Sequence, residues 1–220
     1  GVPVNDAFGG VAAVSNLEIE AVKDLEIITG TFNAEYGNAM SGVVNAVTKD
    51  GSNQFEANVN TGSSTYLTKN ERNGEEVYIG LDPFGINSNT DLKLNLSGPI
   101  IKDKVHFFLN YRDQNINGHL NGIRRFNTWD LSDFYDQDSS NWTSENTGDS
   151  VHVAMNTGDY ESLMGKISFN YRNIKFSLMQ NHNNAVSQGY IHAYKYNTDG
   201  RLHDEVKTIL SMLQLNHFLN

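Results

Sequence analysis

The sequence predicts an all-β fold: about six strands of an antiparallel barrel that crosses a membrane, favoured over a soluble all-β domain as the alternative, preceded by a glycine-punctuated segment of different texture. Three observations carry this prediction. Beyond Lys49, apolar and polar residues alternate with period two, as in strands whose two faces meet different surroundings. Each alternating segment has the length, about ten residues, that a tilted strand needs to cross a hydrocarbon layer. The connections between them run long, short, long, short, long, which is the parity of a barrel with tight turns on one side of the membrane and extended loops on the other. About six strands fall short of the roughly eight at which such barrels begin to close, so the chain is expected to be a fragment of its architecture.

The opening segment, 1–51, reads as a unit of its own. A short strand over 25–29 is stopped by Gly30, a compact connector turns at Tyr36-Gly37, and a second strand runs over 42–48. In that second strand Val43, Val44, Ala46 and Val47 crowd both faces and Asn45 is the lone polar interruption, so it is expected to be enclosed rather than half exposed. Gly30, Gly37 and Gly42 permit the tight turns, and Tyr36 is expected to pack inside with its hydroxyl partnered. Thr48 and Lys49 close the strand, and Asp50-Gly51-Ser52-Asn53 is the expected linker to the barrel strands of 52–220.

Phe55, Ala57, Val59 and Thr61 share one face of the first barrel strand, opposite Gln54, Glu56, Asn58 and Asn60. A long loop is expected over 63–89. The second strand sets Leu92, Leu94 and Leu96 against Lys93, Asn95 and Ser97, and Gly98-Pro99 is expected to end it. The third carries Val105, Phe107, Leu109 and Tyr111 outward and His106, Phe108, Asn110 and Arg112 inward. After a polar stretch over 113–160, Leu163, Gly165, Ile167, Phe169 and Tyr171 line the outer face of the fourth. Arg172-Asn173 makes a tight turn into the fifth, with Ile174, Phe176 and Leu178 in phase. A third loop over 181–205 leads to a sixth strand with Ile209, Leu213, Leu215 and Leu219 in phase, although Leu210, Met212 and Phe218 make its other face apolar too. On this reading an arginine at Leu94 is costly and an arginine at Asn95 is tolerated.

Composition agrees with a barrel and excludes several classes. Hydrophobic residues make up 38% of the 220 residues, low for a conventional core of that size. Mean hydropathy is −0.48, and no apolar run approaches the ~18 residues of a membrane helix; barrel strands average to a polar score while one face stays apolar. Residues 1–20 show no basic and apolar leader, so any targeting segment is expected upstream. With no cysteine there is neither a disulfide framework nor a thiolate site. A net charge of −10 argues against nucleic acid as a partner.

Candidate chemistry concentrates in the second long loop. Phe126, Trp129, Phe134, Tyr135 and Trp142 are interleaved there with Asp130, Asp133, Asp136, Asp138, Glu145 and Asp149. Rings that stack and carboxylates that accept hydrogen bonds suit a polar ligand, with Trp129, Asp130, Tyr135 and Trp142 the candidate contacts; alternatively the rings staple the loop to itself. The acids lack the spacing of a calcium loop, His152, His182, His192 and His203 lack that of a zinc site, and there is no nucleophile motif. No enzyme activity, metal or cofactor is expected.

The run 25–49, LEIITGTFNAEYGNAMSGVVNAVTK, resembles the last part of the plug domain of TonB-dependent outer-membrane transporters. Gly1-Val2-Pro3-Val4, Gly9-Gly10-Val11 and the run 20–26, EAVKDLE, resemble the preceding plug segments. The run 97–108, SGPIIKDKVHFF, is similar to the early barrel of the Oar-like branch, whose members carry a carboxypeptidase-regulatory-like domain before the plug. Gly30-Thr31 stands where many members have Gly-Pro, and Ser41-Gly42 where they have Gly-Gly. The resemblance implies that 1–51 is the C-terminal part of a plug, in which Gly30, Tyr36, Gly37, Gly42, Asn45, Thr48 and Lys49 serve structure and gating. It implies a multi-pass protein of the bacterial outer membrane, taking up a scarce solute. Its partners would be the lipid bilayer, a small solute or peptide ligand, a surface lipoprotein, and the TonB-ExbB-ExbD energy-coupling complex acting through a segment outside this chain. The alternative is a surface protein on the same scaffold, an adhesin or assembly component, that transports nothing.

Overall fold

A computed structural model describes residues 17–28, 43–82 and 88–218. Gly30, Tyr36, Gly37, Gly42 and the turn expected at Tyr36-Gly37 lie outside them. Among the described residues fourteen strands follow one another: β1 Val22–Ile28, β2 Val43–Thr48, β3 Glu56–Ser64, β4 Glu71–Arg72, β5 Glu75–Glu76, β6 Asn89–Ile101, β7 Val105–Asn117, β8 Asn121–Ile123, β9 Ser132–Asp133, β10 Thr143–Ser144, β11 His152–Ala154, β12 Thr157–Tyr171, β13 Ile174–Gln188 and β14 Asp204–His217. Six of them form one antiparallel sheet in the order β14-β13-β12-β7-β6-β3, while β1 and β2 pair in a sheet of two. The described residues contain no α-helix, only short 3-10 turns. The all-β class and the six antiparallel strands hold; the sheet is open, with β3 and β14 at its edges.

The alternation read in the sequence becomes two unlike faces. On the outer face Leu163, Ile167, Phe169, Tyr171 and Leu178 are exposed, Ile167 by 48%. The cross-strand partners Phe107, Ile167, Leu178 and Leu213 continue one row of this face across four strands. On the inner face lie the buried residues Phe108, Met164 and Met179, which with Ala21 form the apolar cluster that Leu17, Leu210 and Met212 pack against. A sheet that covers Phe108, Met164 and Met179 and bares Leu163, Ile167, Phe169 and Leu178 has its apolar band on the outside. The band occupies 163–171 of β12, about nine residues, which suits a tilted strand in a bilayer.

Several expectations change. Gly98-Pro99 does not end the second strand. β6 runs on to Ile101, with a bulge between Pro99 and Ile101, and the turn falls at 102–104, where Asp103 takes a φ of 63°. β3 stops pairing at Glu56 opposite Ser97, so beyond that point β6 is bonded on one side only, where a proline removes no needed donor. Strands also extend further into the expected loops, β7 to Asn117, β12 from Thr157 and β13 to Gln188, because backbone groups make the ladder and polar side chains do not end it. The stretch 113–160, which reads as irregular, folds into β8 paired with β11 and β9 paired with β10. The two-sided apolar pattern of the sixth strand is resolved: Ile209, Leu213 and Leu215 face outward, while Leu210 and Met212 reach the inner cluster. Finally, β2 is not enclosed on both faces. Val47 is 45% exposed, while Asn45 and Ala46 are half-buried and Thr48 is buried.

The linker is where backbone meets backbone. A Cβ on Gly51 would stand 2.1 Å from the Phe107 carbonyl oxygen, so the chain can cross β7 only where a side chain is missing. Asn53 fixes the crossing by accepting from the Asp103 N–H at 2.8 Å, and its Oδ1 lies 2.8 Å from His106 Nε2. Gly51→Ala is expected to destabilise the full-length protein by about 1–3 kcal/mol through this overpacking. Urea unfolding checks it; an unchanged midpoint would mean that the linker does not lie against β7.

Candidate functional site

The inner face carries a cation on four successive strands of the sheet: Lys93 on β6, Arg112 on β7, Lys166 on β12 and Lys175 on β13. Lys93 and Arg112 stand directly opposite each other in the register, a like-charge pair that is unfavourable unless compensated. Compensation comes partly from Asp91, which takes a two-pronged pair from Arg112 with both bonds at 2.9 Å. The rest is supplied by the segment before β1: Glu20 lies 3.0 Å from Lys93 and the buried Glu18 lies 3.2 Å from Arg112. Ala21, next to Glu20 in the chain and fully buried, completes the apolar cluster.

The chain leaving β2, beside Ala21 at the same end of the β1–β2 unit, is held in the same way. Asp50 spans Lys166 at 2.9 Å and Lys175 at 2.6 Å, two lysines on adjacent strands. Lys166, only 7% exposed, also donates to Thr48 Oγ1 at 2.9 Å. Burial works to raise the Asp50 pKa, but the hydrogen bonds from Lys175 and Lys166, and their charges, overcome it and hold the carboxyl below its ordinary value. Three acids of 17–50 thus seat on the four inner cations.

Of the candidate residues in this segment, Asn45 is half-buried opposite Glu26 of β1, and Thr48 is buried against Lys166. Lys49 has an exposed side chain and donates its backbone N–H to the Ala21 carbonyl at 2.8 Å. Sequence reasoning missed Glu18, Glu20, Asp50, Lys93, Lys166 and Lys175. The alternation places the cations on the inner face, but nothing in one dimension says which acid meets which.

The second group of candidates lies beyond the other end of the sheet. Asp130 closes the base of the β9–β10 hairpin, accepting from Thr147 Oγ1 at 2.5 Å, Thr147 N at 2.9 Å and Asn127 N at 3.0 Å. The Thr147 hydroxyl is the main cause that keeps this carboxyl below the ordinary range. Trp142 packs edge-on against Phe134 at 5.5 Å and donates its indole N–H to the Asp136 carbonyl at 2.8 Å. Asp130 and Trp142 are therefore engaged in holding the loop, whereas Trp129 and Tyr135, 70% and 97% exposed, have their rings open to solvent. Asp130→Asn is expected to loosen the hairpin, and limited proteolysis of the full-length protein should cut faster within 126–147 while the ladder of β7, β12 and β13 resists. Unchanged cleavage would place the closure elsewhere.

No family model matches the chain, and no solved structure matches it. Over 115 residues, half of this chain, it is 39% identical to the TonB-dependent transporter Oar of Myxococcus xanthus. That stretch is 11% of the relative's length. The similarity supports the TonB-dependent receptor family as the chain's relation.

Proposed function

We propose that this chain is part of a TonB-dependent transporter of the bacterial outer membrane, with 1–51 the end of its plug and the six-stranded sheet a portion of its barrel wall. The carrying observation is the opposition of the two faces. The outer face is a bare apolar band suited to lipid, and the inner face is a set of cations on which the acids of the preceding segment rest. The 39% identity to Oar supports the same reading. In this reading, the β1–β2 unit blocks the lumen through polar contacts that can be exchanged for water, and Gly30, Tyr36, Gly37 and Gly42 shape the part of the plug between the two strands. Long loops collect the solute outside, with Trp129 and Tyr135 the open rings on which it stacks. A partner of the TonB-ExbB-ExbD type supplies the pull.

The test compares cells with the full-length protein, cells without it and cells lacking TonB. The expected result is a heat-modifiable protein in the outer-membrane fraction, and at least one solute whose removal from the medium is lost in both deletions. A protein that reaches the outer membrane while no solute depends on both would instead favour the adhesin or assembly reading.

A further inference from the structure

We infer that Arg201 marks a binding site for a small solute carrying an oxyanion, a carboxylate or a phosphate. A cavity of about 410 Å³ opens at the loop end of the sheet, between the start of β12, the end of β13 and the 3-10 turn at Thr198–Gly200. Thr157, Gln188, Thr198, Asp199, Arg201 and His203 contribute polar groups to its wall. That volume is in the range of small-molecule sites.

The charges around the cavity are unevenly paired. Asp199 is already engaged: its Oδ2 accepts from Arg124 Nε at 2.8 Å and its Oδ1 from the Thr198 hydroxyl at 3.1 Å. Arg124 in turn holds Asp149 at 2.9 Å, so that arginine has two carboxylates. Arg201 has none within ion-pair distance among the described residues. Its Nη1 is shielded from water and lacks a hydrogen-bond partner. The guanidinium lies over Gly189, where a Cβ would come to 3.7 Å from Nη1 and 3.9 Å from Nη2. Its backbone carbonyl accepts from the buried Gln188 side chain at 3.5 Å, which ties the segment to the end of β13.

A chain with 26 acidic residues against 16 basic ones has no shortage of carboxylates, yet the one on this wall, Asp199, is bonded to Arg124 and not to Arg201. An always-charged planar fork, partly stripped of water, on the wall of a cavity and with no carboxylate within ion-pair distance among the described residues, is complementary to an oxyanion that can take two parallel N–H bonds. The Gln188 amide and the His203 ring on the same wall add groups that can fix the remainder of the solute.

The site deepens the transport reading by naming the chemistry of the solute. Its test uses purified full-length protein without energy coupling, so a failure of transport leaves it untouched. Phenylglyoxal labelling of Arg201, read by peptide mass spectrometry, is compared in citrate, in inorganic phosphate and in glycerol. Protection by citrate or by phosphate, with none by glycerol, is the expected result, and which of the two protects identifies the oxyanion. In the same protein Arg201→Gln is expected to weaken binding of the protecting anion about tenfold or more, and Arg201→Lys less, since it keeps the charge and loses the fork. Equal labelling in all three solutions, or anion binding unchanged in Arg201→Gln, overturns the site. The labelling arm uses the wild-type protein and so holds even where a variant fails to fold.

Discussion

Asp50→Ala in the full-length protein is expected to weaken the hold of the β1–β2 unit on the sheet by about 3–5 kcal/mol, because it leaves the buried Lys166 ammonium without its carboxylate. Amide exchange in β1 and β2 should accelerate while β7 and β12 keep their protection, since their ladder does not pass through Asp50. The sign of a second substitution is diagnostic. Lys166→Met removes the buried charge itself and leaves Asp50, which is more exposed, still paired with Lys175, so it should cost less than Asp50→Ala. The double variant should then resemble Lys166→Met alone. If the two single effects simply add, the ion pair does not couple them and the anchor lies elsewhere. The same carboxylate sets a pH dependence. Its pKa in the fold lies below the ordinary 3.8, so its contribution is fully present above that value and is lost as pH falls through the lower, folded value. Exchange in β2 relative to β12 should therefore be flat down to about pH 5 and rise only below pH 4 or so.

Ile167→Arg is expected to cost about 2–4 kcal/mol in the folding of the intact protein into a bilayer, because Ile167 stands at the centre of the outer apolar band. Glu161→Arg, on the same face of the same strand but above the band, should cost about 0–1 kcal/mol, as befits an interfacial position. Folding titrations into phospholipid vesicles measure both. Equal costs would mean that the outer face does not meet lipid. The structure also revises the expectation for Asn95. Its side-chain oxygen accepts from Asn110 Nδ2 at 2.8 Å, and Asn110 is fully buried, so arginine there would orphan a buried amide and is not tolerated freely. Polar alternation distinguishes a wet face from a lipid face, but it does not distinguish a solvated asparagine from one in a buried pair.

The sequence by itself determined the all-β class, the six strands of the main sheet and the phase of each, because the alternation of side chains across a strand is a property of the chain's own geometry. Residues 105–112 and 163–171 could be assigned outward or inward one by one, and the tight turn at Arg172-Asn173 was legible from its length and its turn-forming residues. Strand ends were less legible, since above the apolar band β7 and β13 continue in Asn, Gln and Asp, the same residues that loops use. Only the tertiary structure decided that Leu210 and Met212 belong to an inner cluster with Ala21, that Asp50 bridges lysines more than a hundred residues away, and that Arg201 is left without a counter-ion while Arg124 has two. The physical reason is range. Periodicity is a property of neighbours along the chain, whereas charge pairing and cavity walls depend on which distant strands the register brings together.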